Sequence, residues 1–174
     1  MNPLDGLRII GGLLLLNAFL SWWFTSSGTW GYQGHKIDPN YWVDVAKEAV
    51  WGPRHMSMAE LQEYNGVHRP RVYLSVNGTV FDVTRRRDLY TGKGSYSKLA
   101  GRDCSRVLVT GCLDRPQEYT HDLRGLDANE VDDKLGGWLR YYRNSPDYWP
   151  VGTVELDPVE GPVPEKCDHR VRPL

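Results

Sequence analysis

The sequence predicts an α+β domain carried behind a single membrane-spanning helix. Three stretches predict it. Residues Ile9 to Phe24 hold no charged side chain. Two β-rich runs flank the dipeptide Asn77-Gly78. Further on, Val131, Leu135, Trp138, Leu139 and Tyr142 recur at helical spacing, which gives one apolar helix face.

The apolar run comes first. Extended to Leu7 and Ser26 it is about 20 residues long, enough to cross a ~30 Å hydrocarbon core at ~1.5 Å per residue. Trp22 and Trp23 fit an interfacial belt at its C-terminal end. A cleaved signal peptide is the alternative. Against it, Asp5 and Arg8 share the leading segment, and no small-x-small cleavage site follows the run. The chain then divides into a short N-terminus (1–6), a transmembrane helix (7–26), a juxtamembrane segment (27–55), a folded domain (56–156) and a tail (157–174). Flanking charge does not set the orientation. Arg8 and the amino terminus lie on one side, His35 and Lys36 on the other. The juxtamembrane segment scatters Trp30, Tyr32, Tyr41, Trp42 and Trp51, and reads as a linker with interfacial aromatics. Within it, Tyr41 to Val50 could form an amphipathic helical turn.

The folded domain opens at Ser57-Met58-Ala59-Glu60, a capping box for a short helix that stops at Asn65-Gly66. Arg71 to Val76 and Thr79 to Val83 then form a hairpin across Asn77-Gly78, the strongest short-range hairpin signal. Asn77-Gly78-Thr79 is also an N-glycosylation sequon. It is read first as a turn, and in a cytosolic domain it would go unused. Ser95 to Leu99 forms one helical turn carrying Tyr96. Asp103 caps a helix that buries Val107, Leu108 and Cys112, with Gly111 near its end. Arg115 to Leu126 is polar and loop-like. A second box, Asp127 to Glu130, opens a helix running to about Arg143. Gly136-Gly137 weakens it by about 1 kcal/mol per glycine relative to alanine. Tyr148 to Leu156 reads as the closing strand. The tail carries Pro158, Pro162, Pro164 and Pro173 with little to bury, so it is expected to be disordered.

Composition narrows the function classes. A hydrophobic fraction of 40% with 25% charged residues is ordinary for a globular chain. The net charge of −1 gives no electrostatic footprint for nucleic acid. Seven Trp and ten Tyr favour an aromatic-lined pocket or a membrane interface. Cys104, Cys112 and Cys167 are an odd set without metal-type spacing, which favours reduced thiols in a cytosol-facing domain. No Gly-x-Ser-x-Gly, P-loop, dinucleotide fingerprint or His-Glu-x-x-His occurs. A Cys104/His121/Asp122 nucleophilic arrangement has no support in the local pattern. A binding protein, not an enzyme, is the better class.

The densest motif runs from Tyr90 to Arg106. Two tyrosines bracket Gly92 and Gly94, then Ala100-Gly101-Arg102-Asp103-Cys104-Ser105-Arg106 follows. The glycines permit positive φ and close backbone approach, so the loop can lie against a flat ligand. The pattern Tyr-x-Gly-x-Gly-x-Tyr followed by Ala-Gly-Arg-Asp-x-Ser-Arg resembles the membrane-associated progesterone receptor family, a variant of the cytochrome-b5-like haem-binding domain, from about Met56 to Glu155. The resemblance implies a cytochrome-b5-like fold and a ferric b-type haem (iron protoporphyrin IX) held by one tyrosinate, Tyr96, with Tyr90 as its hydrogen-bonding neighbour and Tyr148 beside the site. It also implies residence in the endoplasmic reticulum membrane with the domain facing the cytosol, and support of cytochrome P-450 enzymes in sterol metabolism. Homodimers through an open haem face are permitted. A haem-free steroid-binding or interaction module, or a secreted factor, are the alternatives on the same fold.

The chemistry of such a site is coherent. A phenol has a pKa near ~10, and a ferric ion lowers it as bound metals acidify water and thiols. Tyrosine is a known haem ligand. A hard anionic oxygen stabilises Fe(III), so the haem would have a low potential. Tyr90 and Tyr148 would orient the ligand oxygen. Asp147 stands where a family member can carry lysine, which removes a cation beside Tyr148. Lys98, with Lys93 and Arg102, could meet haem propionates. Arg85-Arg86-Arg87 reads as a solvated turn face or a membrane or partner contact. Electron-transferring relatives would use two axial imidazoles, one from a His-Pro-Gly-Gly loop. That loop is absent, and His68 and His121 lie in polar, turn-like surroundings. Cys104 as a thiolate ligand is disfavoured by its place at a helix start. Cys167 and His169 would make only an incomplete metal site.

Overall fold

The computed structural model describes residues 3–25 and 39–167. The chain forms two compact units that divide after residue 37. The first contains one helix, α1 (Pro3–Thr25). Proline at its first turn is preorganised for helix and gives up an N–H that has no partner there. Within Pro3–Phe24 an 18-residue window has a mean hydropathy of 1.5, so α1 is long and apolar enough to cross a membrane. It starts before Leu7 and carries Asp5 and Arg8 as a pair 3.5 Å apart in its first turns. Trp30, Tyr32, His35 and Lys36 lie outside the described residues, as does His169.

The second unit begins with α2 (Pro39–Trp51), another helix with proline at its start. It contains Tyr41 to Val50, the stretch offered as a helical turn, and corrects the reading of this part of the segment as a linker. Asp44 and Glu48, four residues apart, share one helical face and reach the folded domain. The Asp44 carboxylate is fully buried and accepts from the Tyr64 hydroxyl at 3.1 Å. Glu48 accepts from Arg71 Nη1 at 2.7 Å and from the Tyr73 hydroxyl at 2.8 Å. A charged face folds here because its partners are buried cations and phenols, which no apolar periodicity reveals.

After β1 (Arg54–Met56), α3 (Met58–Glu63) starts at Ser57 with both bonds of the capping box formed. The hairpin follows as β2 (Tyr73–Val76) and β3 (Thr79–Asp82). Asn77 and Gly78, with φ of 49° and 74°, supply the positive-φ pair that such a two-residue turn needs. The last strand, β4 (Trp149–Val154), completes a four-stranded sheet in the order β1-β4-β3-β2, antiparallel except for β1 beside β4. Both faces of the sheet are covered. Tyr73, Val80, Val151 and Val154 pack with Met56, Leu61 and Tyr64 of the α3 side. Leu74, Val76 and Phe81 face the larger core under α4 (Arg87–Tyr90), α5 (Ser105–Thr110) and α6 (Ala128–Asn144). Buried between sheet and α2, Arg71 bonds Asp82 through Nε at 2.8 Å and again through Nη2.

Two caps differ from expectation. Asp103 does not cap α5; Cys104 holds that position without a side-chain bond. The Asp103 carboxylate is buried and accepts from Ser105 N–H at 2.9 Å and Ser75 Oγ at 2.7 Å, which ties the start of α5 to β2. Asp127 does cap α6 by accepting from Glu130 N–H at 3.0 Å. Glu130 turns away to Lys134 at 2.7 Å, so only half of that box forms.

The tail also differs. Residues 157–167 are placed against the domain. Cys112 and Cys167 form a disulfide across 55 residues of sequence. Arg106, fully buried, donates to the carbonyls of Asp122 and Arg124 at 2.8 and 3.0 Å, and to those of Pro164 and Glu165 at 3.3 Å each. Arg106 also pairs with buried Glu118 at 3.2 Å. Low hydrophobicity suggested disorder; a covalent link and one buried guanidinium hold the segment instead. The same disulfide overturns the reading of three reduced thiols.

Candidate functional site

Three elements meet around a cavity of about 490 Å³, within the ~300–1,000 Å³ typical of ligand sites. α4 ends in Leu89 and Tyr90. The loop after it returns Tyr96 and Leu99. α6 presents Lys134, Gly137, Trp138, Tyr141 and Tyr142, and Tyr148 and Leu108 close the wall. The loop can return because of Gly94. A Cβ there would lie 2.2 Å from the Leu89 carbonyl oxygen, and Tyr96 N–H donates to that oxygen at 2.9 Å. The close approach expected at the glycines is therefore to the chain's own helix, and its effect is to fix Tyr96 against the cavity.

The structure brings together three of the four expected site residues. The rings of Tyr90 and Tyr96 lie 5.9 Å apart, and Tyr148 meets Tyr90 edge-on at 6.0 Å. Tyr90 and Tyr148 are buried, whereas Tyr96 is 37% exposed at the rim. Among the described residues no hydrogen bond occupies the Tyr96 hydroxyl. Tyr90 bonds Tyr142 instead, hydroxyl to hydroxyl at 3.1 Å. Burial, then the neighbouring Tyr142, pushes the Tyr90 phenol far above its ordinary pKa. Burial does the same to Tyr142 and Tyr148. These three stay neutral hydrogen-bonding groups, and Tyr96 is the phenol whose hydroxyl is left unengaged at the rim.

Lys98 is not brought in. The 3₁₀ turn Ser97–Leu99 points Leu99 into the core and leaves Lys98 exposed on a neighbouring polar cleft, beside Arg102 and His68, that shares Tyr90 with the cavity. Lys134 is the cation on the cavity wall, held by Glu130 and by the Val109 carbonyl at 2.7 Å each. Asp147 is paired with Arg85 at 3.7 Å, and Arg85 also donates to the Pro146 carbonyl at 2.9 Å. His68 bonds Asn65 at 3.2 Å, and His121 bonds the Asp157 carbonyl at 2.8 Å; neither lines the cavity. Cys104 is fully buried outside the wall, with its thiol pushed up by desolvation. No group of three metal-ligating His, Cys, Asp or Glu side chains forms among the described residues.

Sequence reasoning placed Trp138 and Tyr142 on an apolar helix face but did not assign them to a cavity. It read Gly137 only as a weakness. The missed signal is the combination, a glycine pair followed by Trp138, Tyr141 and Tyr142 on one helix. The Gly137 position leaves room, since a Cβ would meet only the end of Arg140 at 4.0 Å.

The donor set fits a planar iron porphyrin. Leu89, Leu99, Leu108 and Trp138 offer apolar contact, Lys134 a cation, and Tyr96 an oxygen free to bind iron where no imidazole reaches. Comparison with known proteins agrees with the class of site. Residues 57–129 match the family described as cytochrome b5-like heme/steroid binding domain, a span that includes Tyr90 and Tyr96 but ends before most of α6. Membrane-associated progesterone receptor component 2 of Rattus norvegicus is 35% identical over 155 residues, 86% of this chain and 67% of that one. The cytochrome P450 regulator dap1 of Schizosaccharomyces pombe is 40% identical over 87 residues, covering 50% and 48%. A solved Arabidopsis thaliana protein with a cytochrome b5 like fold is 29% identical, with a TM-score of 0.52 over 59% of this chain and 91% of that chain.

Proposed function

Because the chain belongs to the membrane-associated progesterone receptor family, we propose that it is a membrane-anchored haem-binding protein whose ferric b-type haem is ligated by Tyr96. The observation that supports this most is the unengaged Tyr96 hydroxyl at the rim of an apolar cavity without histidine. When bound, the haem would supply a ferric centre of low potential, because a phenolate stabilises Fe(III). The chain's own residues do the rest. Gly94 and the Leu89 carbonyl hold the backbone of Tyr96. Tyr90, locked by Tyr142, and Tyr148 wall the ligand in and exclude water from its inner side. Lys134 would meet a propionate.

The proposed role is non-catalytic support of cytochrome P-450 enzymes in sterol metabolism, by contact or by haem handling, from the endoplasmic reticulum membrane through α1. The relative named as a P450 regulator supports that class of client. The cytosol-facing orientation rested on the resemblance and on the cysteine count, and the Cys112–Cys167 disulfide removes the second support. Replacing Tyr96 with Phe and recording the absorption spectrum and haem affinity tests the ligand.

A second reading has its own support. Four apolar side chains and tyrosyl hydroxyls would also receive a sterol. A chain that stays colourless when offered haem yet binds a steroid would establish it.

A further inference from the structure

We infer that the folded domain matures on the oxidising, glycosylating side of the membrane and that Asn77 carries an N-linked glycan. Two observations lead there independently of the haem site. The first is covalent. Cys112, at the end of α5, is joined to Cys167 in the tail, and the remaining Cys104 is fully buried. The described domain therefore exposes no free thiol. Stable disulfides form in the secretory lumen and outside the cell, and are rare where glutathione and thioredoxin keep thiols reduced. This bond is built into the architecture, since the segment it fastens also supplies two carbonyls to buried Arg106.

The second observation is the sequon Asn77-Gly78-Thr79. Asn77 is exposed at the tip of the β2–β3 hairpin. Its backbone N–H is committed to Ser105 Oγ at 2.8 Å, while no described hydrogen bond uses its carboxamide. Neither Asn77 nor Thr79 lines the aromatic cavity, so a glycan would leave the ligand site open. A hairpin needs Asn-Gly at this turn, but it does not need Thr next, so the turn alone does not account for the sequon. On that side of the membrane the domain would reach clients only through their lumenal or membrane-embedded parts.

The experiment is expression of the full chain, with a C-terminal tag, in sealed eukaryotic microsomes. The expected result is a tag protected from added protease, a single mobility shift removed by an N-glycosidase, and no shift in either Asn77→Gln or Thr79→Ala. The second variant keeps the turn residue and so separates loss of the acceptor from misfolding. Maleimide labelling without reductant should leave Cys112 and Cys167 unmodified. A protease-accessible tag with reduced Cys112 and Cys167 would overturn the inference whole. A protected but unshifted chain would overturn the Asn77 assignment. Neither outcome bears on Tyr96, whose test is spectroscopic and needs no membrane.

Discussion

The hydroxyls of Tyr90 and Tyr142 lie 3.1 Å apart inside the wall of the aromatic cavity, and each phenol is buried. They are partners that neither can replace with water. Tyr90→Phe strands the buried Tyr142 hydroxyl, at a cost of about 1–3 kcal/mol, read as a lower urea midpoint; Tyr142→Phe should cost less, because the Tyr148 hydroxyl still reaches Tyr90. The double variant should cost less than the sum of the two. Their raised pKa values also set a pH dependence. Below the ordinary phenol value of ~10 both states hold their protons and stability is unaffected. Above it the unfolded chain releases protons that the folded chain retains, so stability should fall as pH rises. The double Phe variant should flatten that decline.

Gly137 lies on the cavity wall, with open space where a side chain would stand. Gly137→Ala should raise the stability of α6 by up to about 1 kcal/mol. Gly137→Leu should weaken haem binding at least about tenfold, equivalent to ~1.4 kcal/mol, while thermal unfolding stays cooperative. Haem titration followed in the visible spectrum, with a melt on the same sample, separates the two effects.

Arg71 and Asp82 form a pair buried between the sheet and α2, with Glu48 as a further acceptor for Arg71. Arg71→Met leaves the buried Asp82 carboxylate without its cation and should cost about 3–5 kcal/mol. Asp82→Asn should cost less, because Glu48 still faces Arg71 at 2.7 Å. Glu48→Gln, at the more exposed end, should cost less and loosen α2. Hydrogen exchange of α2 amides would show that loosening before any change in the aromatic cavity.

The cysteines predict a thiol count. Under native, non-reducing conditions a thiol reagent should find none in the folded domain. Unfolding should release one, Cys104, and reduction should release the other two. Desolvation holds the Cys104 thiol protonated, so native alkylation should stay slow even at the ordinary thiol pKa. Cys167→Ser should cost about 4 kcal/mol in the chain-entropy account of a loop this long.

The elements legible in the sequence were those written locally. Asn77-Gly78 specified the hairpin, Ser57 to Glu60 the start of α3, and the motif with Gly94 placed Tyr90 and Tyr96 on one wall. What escaped depended on distant partners. The docking of α2 needs Tyr64 and Arg71, which lie 20 and 23 residues beyond their partners Asp44 and Glu48. The tail is held by Arg106, part of a motif whose apparent purpose was the site. The 3₁₀ turn decides that Leu99 faces inward and Lys98 outward, which the local sequence does not show. Trp138 and Tyr141 became cavity wall only once α6 was laid across α5, where Trp138 Nε1 donates to the Leu108 carbonyl at 3.0 Å.

The most direct measurement is the visible and paramagnetic resonance spectrum of the full chain loaded with ferric haem in detergent, beside Tyr96→Phe. Ligation by phenolate predicts a charge-transfer band and ferric signal that vanish in the variant, with affinity reduced at least about tenfold. Unchanged spectra and affinity in Tyr96→Phe, or a signature of nitrogen or sulfur on the iron, would contradict it.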